Sequence, residues 1–350
     1  VFGTNIPEET VVESITTNSF IIISKAATGT GSQNLKFIDH RGFVKKVSGD
    51  HSNSGSEGVI NSITPNLKAA TQSFSTIDTD VQVGMVAIGV AFLMIAGEFD
   101  LSVGSVLGLS AAIALPLMNY GYDPIMCVLI SMFLCTCVGL LNGILVTQLR
   151  IHSLIITLAG LMFYRAFVLG ITGGYPLRLE ERHEVLKIFS FWYNGVPGTF
   201  FWFMLFLIIF TIVLGYTKFG NWVFATGGEQ NASRNMGVPV TRVKILCFMA
   251  ASFMASMAGI VQMARYTSVD SLRGYGIELE AVFAVVVGGA ALTGGYGSIV
   301  GAALGVIMVS MIKQGLILMG IEAYWFRAGI GVVLVVAAVI NTKVMEQASK

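Results

Sequence analysis

The sequence is short of charge. Lys, Arg, Asp and Glu make up 12% of its 350 residues, 54% are hydrophobic, and the mean hydropathy is +0.76. A soluble domain carries about 25% charged residues. This chain therefore cannot cover a globular surface in the usual way and reads as a polytopic membrane protein. Its net charge of +1 gives no sign of a nucleic-acid partner. Patterns of catalysis are lacking too. There is no G-x-x-x-x-G-K-[ST] loop, which excludes ATP hydrolysis by the P-loop mechanism, and no H-E-x-x-H. The histidines His40, His51, His152 and His183 are scattered, and His152 reads as an interfacial side chain. Cys127, Cys135, Cys137 and Cys247 all lie in apolar stretches without a C-x-x-C spacing, so they read as small hydrophobes rather than metal ligands. No basic stretch followed by an apolar run marks a secretory signal.

Long hydrophobic runs are missing from residues 1–80, which are rich in Ser, Thr, Asn and Gly; their longest apolar run is "FIIIS" at 20–24. That composition predicts a polar N-terminal extension that does not span a membrane, partly disordered or β-prone. Beyond it the apolar stretches follow closely. A bilayer core needs about 20 apolar residues as a helix. Candidate spans are 81–97, 101–118, 124–148, 151–173, 199–216, 243–265, 279–293, 298–319 and 326–341. The expected fold is all-α: a polytopic transmembrane bundle of about nine helices over 81–341, with a tail at 342–350. The stretches 81–97 and 279–293 are short and Gly-rich, as broken or re-entrant helices are.

Residues 217–245 carry Lys218, Arg234, Arg242 and Lys244 against Glu229. This basic excess predicts a cytoplasmic loop. Counting helices from it puts 174–198, 266–278 and 1–80 outside, and 98–100, Arg150 and the C-terminus inside. "GSVLG" at 104–108 recurs as "GSIVG" at 297–301, either a duplicated half or a chance recurrence of a helix-packing pattern.

Several residues invite two readings. Asp100 fits an N-cap opening helix 101–118, or a carboxylate that lines a solute path or meets a cytoplasmic partner. Arg165 and Lys313 are expected to reach the outer interface, and Glu280 to begin its helix. "HEVLKIFSFWYNG" at 183–195 places Leu186, Phe189 and Tyr193 at helical spacing, as an amphipathic helix lying on the outer interface would.

Five stretches, in order, add up to a family. "GEFDLSVGS" (97–105) resembles the G-G-I-D-L-S-V-G-S signature of the ribose/xylose/galactose-type ABC importer permeases, the second carbohydrate-uptake family. "NGILVTQLRIHSLIITLAGLMFYRAFVLGITGG" (142–174) is similar to its next landmark. "ATGGEQNASRNMGVPVTRVKI" (225–245) resembles its EAA-like loop. "ELEAVFAVVVGGAALTGGYGSIVGAALGV" (278–306) and "GIEAYWFRAGIGVVLVVAAV" (320–339) resemble its C-terminal spans. There are departures. The family's first helix has no counterpart in 1–80, Glu98 and Phe99 replace the signature's second Gly and its Ile, and Glu229-Gln230 stand where the family has Asn-Glu.

The resemblance implies a transport subunit, not an enzyme, in a bacterial inner membrane. It implies ABC ATPase partners that use ATP and Mg, an external sugar-binding protein and a second permease copy, with no cofactor or metal on this chain. It assigns ATPase coupling to Gly227, Gly228, Glu229, Ala232, Arg234 and Gly237. Pro239 cannot continue a helix from the middle, so the coupling helix should run from about Glu229 to Met236 and stop at Gly237. Asp100, Ser102, Gly104, Ser105 and Arg165 are candidates for the signature or translocation path. A monosaccharide is the expected solute. An ion-coupled secondary transporter of a small polar solute, or a non-transporting scaffold, stays open.

Overall fold

The structure, a computed structural model, describes residues 12–16, 20–23, 33–38, 44–49, 81–181, 183–193, 196–319, 325, 328–332 and 336. The chain forms two units, Val1–Ser73 and Phe74–Lys350. The first contains two antiparallel hairpins. In one, β1 (Val12–Thr16) pairs with β2 (Phe20–Ile23), and in the other, β3 (Gln33–Ile38) pairs with β4 (Val44–Gly49). Most of residues 326–341 and all of the tail lie outside the described residues.

The second unit is helical. Its elements are α1 (Val81–Ile95), α2 (Val103–Asn119), α3 (Pro124–Leu149), α4 (Ser153–Thr172), α5 (Lys187–Ser190), α6 (Gly198–Tyr216), α7 (Lys218–Gly228), α8 (Gln230–Asn235), α9 (Val240–Tyr266), α10 (Ile277–Val287) and α11 (Ile299–Leu318). Five of these, α3, α4, α6, α9 and α11, are long and apolar enough to cross a membrane. Three expected spans are shorter. The 11 residues of α10 rise only about 16 Å, against a hydrocarbon core of about 30 Å. The apolar run 279–293 stops being helical at Val287 because Gly288 and Gly289 begin a turn, with Gly289 at φ +89°.

Around these breaks the backbone must find partners inside the protein, since lipid offers none. The turn after α1 does so in sequence. Gly97 N donates to Met94 O (2.9 Å), Glu98 N to Leu93 O (3.2 Å), Phe99 N to Ser153 Oγ (3.2 Å) and Ser102 N to Asp100 Oδ1 (2.8 Å). The turn after α10 closes through Ala290 N to Val285 O (3.1 Å) and Ala291 N to Tyr296 O (2.9 Å). The two turns also join, because Gly295 N donates to Ile95 O at 2.9 Å. The helix end of α1 and the loop before α11 thus satisfy each other.

Helix α9 is the axis of the unit, with 72% of its apolar window buried. Its surface carries Ala251, Ala255, Ala258 and Gly259, and small residues let helix backbones approach closely. A Cβ at Gly259 would overlap the Leu107 carbonyl, and one at Gly89 would lie 2.8 Å from Ala251 Cα. Opposite α8, the loops that follow α4 and α9 share a short ladder. There β5 (Leu177–Arg178) pairs with β8 (Ser268–Val269), and Leu179 N donates to Thr267 O at 2.9 Å. Asn119 at the end of α2 joins them through Arg178 O at 3.0 Å.

Two elements differ from the sequence expectation. Residues 218–228, expected as part of a loop, are helix α7. Its local sequence contains three glycines, and the helix holds because Thr217 Oγ1 accepts from Gly220 N (3.2 Å) while Phe219 stacks on Phe92 at 5.9 Å. The expected amphipathic helix at 183–195 is reduced to one 3-10 turn and the four residues of α5. Leu186 is buried and Phe189 stacks on Trp202 at 5.5 Å, and then the chain turns extended at Trp192–Tyr193 and pairs with Val196–Pro197.

Close packing along α9 makes a direct prediction. Gly259→Ala places a methyl against the α2 backbone and should destabilise the bundle by about 1–3 kcal/mol. Gly170→Ala in α4 meets nothing within 4 Å and should leave the melting temperature unchanged. Thermal unfolding of both variants in detergent checks the contrast.

Candidate functional site

The helix break at 96–102 gathers most of the polar chemistry of the bundle. Asp100 is fully buried. It does not cap α2 directly: the cap position belongs to Ser102, and Asp100 Oδ1 accepts from Ser102 N at 2.8 Å and Ser102 Oγ at 2.6 Å. The expectation of a cap is thus displaced by two residues. An aspartate that bonds two residues ahead forms a turn of its own, and the helix starts after it. Ser102 Oγ accepts from Asn142 Nδ2 (3.0 Å), and Asn142 Oδ1 accepts from Tyr164 OH (2.7 Å). These bonds form one directed relay from α4 through α3 to the head of α2, with every donor aimed toward Asp100. Ser153 and Thr157 of α4 hold the intervening peptide, the first accepting from Phe99 N and the second bonding Phe99 O at 3.5 Å.

Other candidates divide between this cluster and its neighbours. Ser105 Oγ donates to Leu161 O at 2.8 Å, tying α2 to α4. Gly104 receives the loop after α9, since a Cβ there would lie 2.5 Å from Gly274 O. Arg165 does not reach for an interface. Its Nη1 donates to Arg273 O at 2.7 Å, so the guanidinium is spent on a carbonyl of that same loop. Nor does Lys313 reach out alone, because it pairs with Glu280 at 3.4 Å. In the loop after α9, burial lowers the pKa of the Arg273 guanidinium, an effect opposed by the neighbouring Tyr266 and Asp270.

The candidate coupling residues lie on α7 and α8. Helix α8 is capped by Glu229, whose side chain accepts from Asn231 N at 3.3 Å, and the chain leaves it through Gly237 at φ +85°. The expected stop at Gly237 is where the structure puts it. Ala232, Arg234 and Gly237 are exposed. Gly227 faces the other way, while Gly228 is exposed although its backbone lies against Gly295. A Cβ at Gly227 would overlap the Ile95 carbonyl, and one at Gly295 would lie 2.6 Å from Gly228 Cα. The end of α7 therefore rests directly on both helix breaks. Ser233 Oγ fastens α8 to α7 through Ala225 O at 2.6 Å.

Sequence reading missed four members. Lys244 Nζ donates to Glu98 Oε1 (2.5 Å) and Gln230 Oε1 (3.1 Å), and Asn142 and Tyr164 complete the relay. A polar Asn within the apolar run 124–148, and a lysine one residue inside the run 243–265, were the available signals. The repeated "GSVLG" and "GSIVG" are not in equivalent register. Gly104 lies inside α2, whereas Gly297 precedes α11 and Ser298 Oγ accepts from Gly301 N at 2.9 Å. Among the described residues no group of three His, Cys, Asp or Glu could hold a metal ion.

The relay is testable by its unpaired ends. Tyr164→Phe leaves Asn142 Oδ1 without its donor and should lower stability by about 1 kcal/mol, while Asn142→Leu strands Tyr164 OH, removes the donor to Ser102 Oγ and should lower it by about 2–4 kcal/mol. Melting temperatures in detergent, compared between the two variants, check the order.

The comparisons with known proteins follow the same residues. The family described as "Branched-chain amino acid transport system / permease component" matches residues 80–338. The chain is 33% identical over 268 residues to the xylose/arabinose import permease protein of Sulfolobus acidocaldarius, covering 74% of each chain. It is 31% identical over 261 residues to the ribose import permease protein of Bacillus subtilis (strain 168), covering 74% of this chain and 81% of that one. It is 35% identical over 269 residues to the autoinducer 2 import system permease protein of Photorhabdus luminescens, covering 75% and 79%. No solved structure matches. The family implies ATPase and binding-protein partners. With five membrane-length helices and a family match over almost all of the helical unit, the chain belongs to the branched-chain amino acid transport system / permease component family and is a multi-pass permease subunit of a binding-protein-dependent ABC importer, a transport subunit rather than an enzyme.

Proposed function

We propose that this chain carries a monosaccharide, pentose- or hexose-like, across a bacterial inner membrane as one half of a homodimeric permease. An external binding protein delivers the sugar at the end that holds the β5–β8 ladder. ATPase subunits, which hold the ATP and Mg, dock at the end that holds α8, where the C-terminus also lies. The observation that carries this reading is the build of α8. It is a short capped helix between α7 and the membrane-length α9, with Ala232 and Arg234 turned outward, and Gly227 of the preceding α7 packs onto the helix breaks. Small outward residues suit a helix that seats in a groove of a partner, and Arg234 supplies a cation to its rim. The sugar reading is supported by relatives named for ribose, xylose/arabinose and autoinducer 2. Residues 1–80 stand as an extension that does not span the membrane.

In this reading Asp100, Ser102 and their relay fix the head of α2 beside the path, while Arg165 fixes the loop after α9 against α2. ATP-driven movement at α8 reaches both helix breaks by backbone contact.

The tests separate docking from specificity. Gly237→Val forces a β-branched residue to positive φ, a conformation that costs it about 1 kcal/mol or more, and Ala232→Arg thickens the outward face of α8. Both variants should insert and fold while losing ATPase co-purification and sugar uptake together. Normal co-purification in both would withdraw the docking role of α8. Uptake of labelled D-ribose and D-xylose into proteoliposomes holding the permease, its ATPase and its binding protein should require ATP. Uptake by the permease alone, driven by an ion gradient, would favour the secondary transporter instead.

A further inference from the structure

Lys244 stands in the second turn of α9, the most enclosed of the five membrane-length helices. Its ammonium meets two acceptors from opposite parts of the chain: Glu98 Oε1, in the break between α1 and α2, at 2.5 Å, and Gln230 Oε1, the first residue of α8, at 3.1 Å. Glu98 and Lys244 are both buried, each 8% exposed. Among the described residues, α8 reaches the rest of the unit through two side-chain hydrogen bonds, Ser233 to Ala225 of α7 and Gln230 to Lys244. Only the second leaves the α7–α8 segment. Glu98 in turn sits two residues from Asp100, whose carboxylate fixes Ser102 at the head of α2. One cation thus joins α8 and α9 to a helix break 146 residues away in the sequence.

A lysine suits such a joint. Its ammonium carries three donors on a flexible stem, so it can keep two acceptors while they shift slightly. Shelter from water strengthens the attraction to the carboxylate relative to an exposed pair. The glycine contacts beside it resist compression steeply but hold only weakly against separation, because each non-bonded atom pair gains only about 0.1–0.2 kcal/mol. The ion pair supplies the pull.

We propose that Lys244 is a positioning residue that couples α8 to the break between α1 and α2. While it bridges Gln230 and Glu98, a displacement of α8 in either direction carries residues 97–100 and, through Asp100, the head of α2. The inference rests on the reading of α8 as the ATPase-docking element.

The test uses the complete importer, permease with ATPase and binding protein, in proteoliposomes. The probe is whichever of D-ribose and D-xylose the wild type carries. Sugar taken up per ATP hydrolysed is measured for Glu98→Gln, Lys244→Met and the reversed pair Glu98→Lys with Lys244→Glu. Both single variants should keep ATPase co-purification and hydrolyse ATP within about twofold of wild type, while uptake per ATP falls about tenfold. The reversed pair should regain most of that ratio. A wild-type ratio in the single variants would overturn the proposal. So would a reversed pair that restores the melting temperature but not the ratio, since the ion pair would then serve folding alone. Loss of co-purification in the single variants would also overturn it, because Lys244 would then be presenting α8 rather than transmitting its movement. Failure of the docking reading is seen separately, as unchanged co-purification in Ala232→Arg.

Discussion

The constraint on which the unit depends is the bilayer's inability to solvate a peptide group. A helix that crosses it satisfies its own backbone, and a helix that stops part-way does not. Among the described residues helices break after α1 and after α10, and the two breaks satisfy each other. The carbonyl left open at Ile95 takes the amide of Gly295, and the amides of the first turn take a serine from α4 and a carboxylate from within the turn. Several other features follow from that arrangement. Glycines line the junction because two backbones must come within reach of one hydrogen bond, and Asp100 is buried because the amide of Ser102 needs an acceptor there.

Burial of Asp100 then requires the relay. A carboxylate away from water is tolerable only when its neighbours donate to it. Ser102, Asn142 and Tyr164 form a chain of donors, and the residues come from three helices. Helices α2, α3 and α4 are therefore held in register by polar bonds at one level, while α9 holds α2 and α3 elsewhere through small-residue contact. The two kinds of packing divide the unit's work. Close apolar contact fixes distance, and directed hydrogen bonds fix rotation.

Much of this was legible in the sequence, where the reason was local. The membrane-length helices follow from composition, and α8 with its stop follows from Glu229, Gly237 and Pro239 in series. The family's motifs pointed to the 97–105 turn. The rest depended on distant partners. Helix α7 has a poor helical sequence and holds through Phe219 on Phe92, a contact no local pattern announces. The segment at 183–193 has helical spacing yet bends after Ser190, where Phe191 turns extended. Glu98 stood out as a departure from the signature, but its partner lies 146 residues away. Asn142 and Tyr164 were passed over because a polar group in a span shows its role only when its acceptor is known.

That separation of Glu98 from Lys244 bears on how the chain is made. A ribosome delivers the carboxylate first, with α1 and α2, and must then thread α3, α4 and α6 before the ammonium emerges. Through that interval the Glu98 carboxylate is without the ammonium that it meets in the finished structure. The helix break is completed only when the start of α9 arrives. A break made early in synthesis thus takes its last polar partner from a helix made 146 residues later.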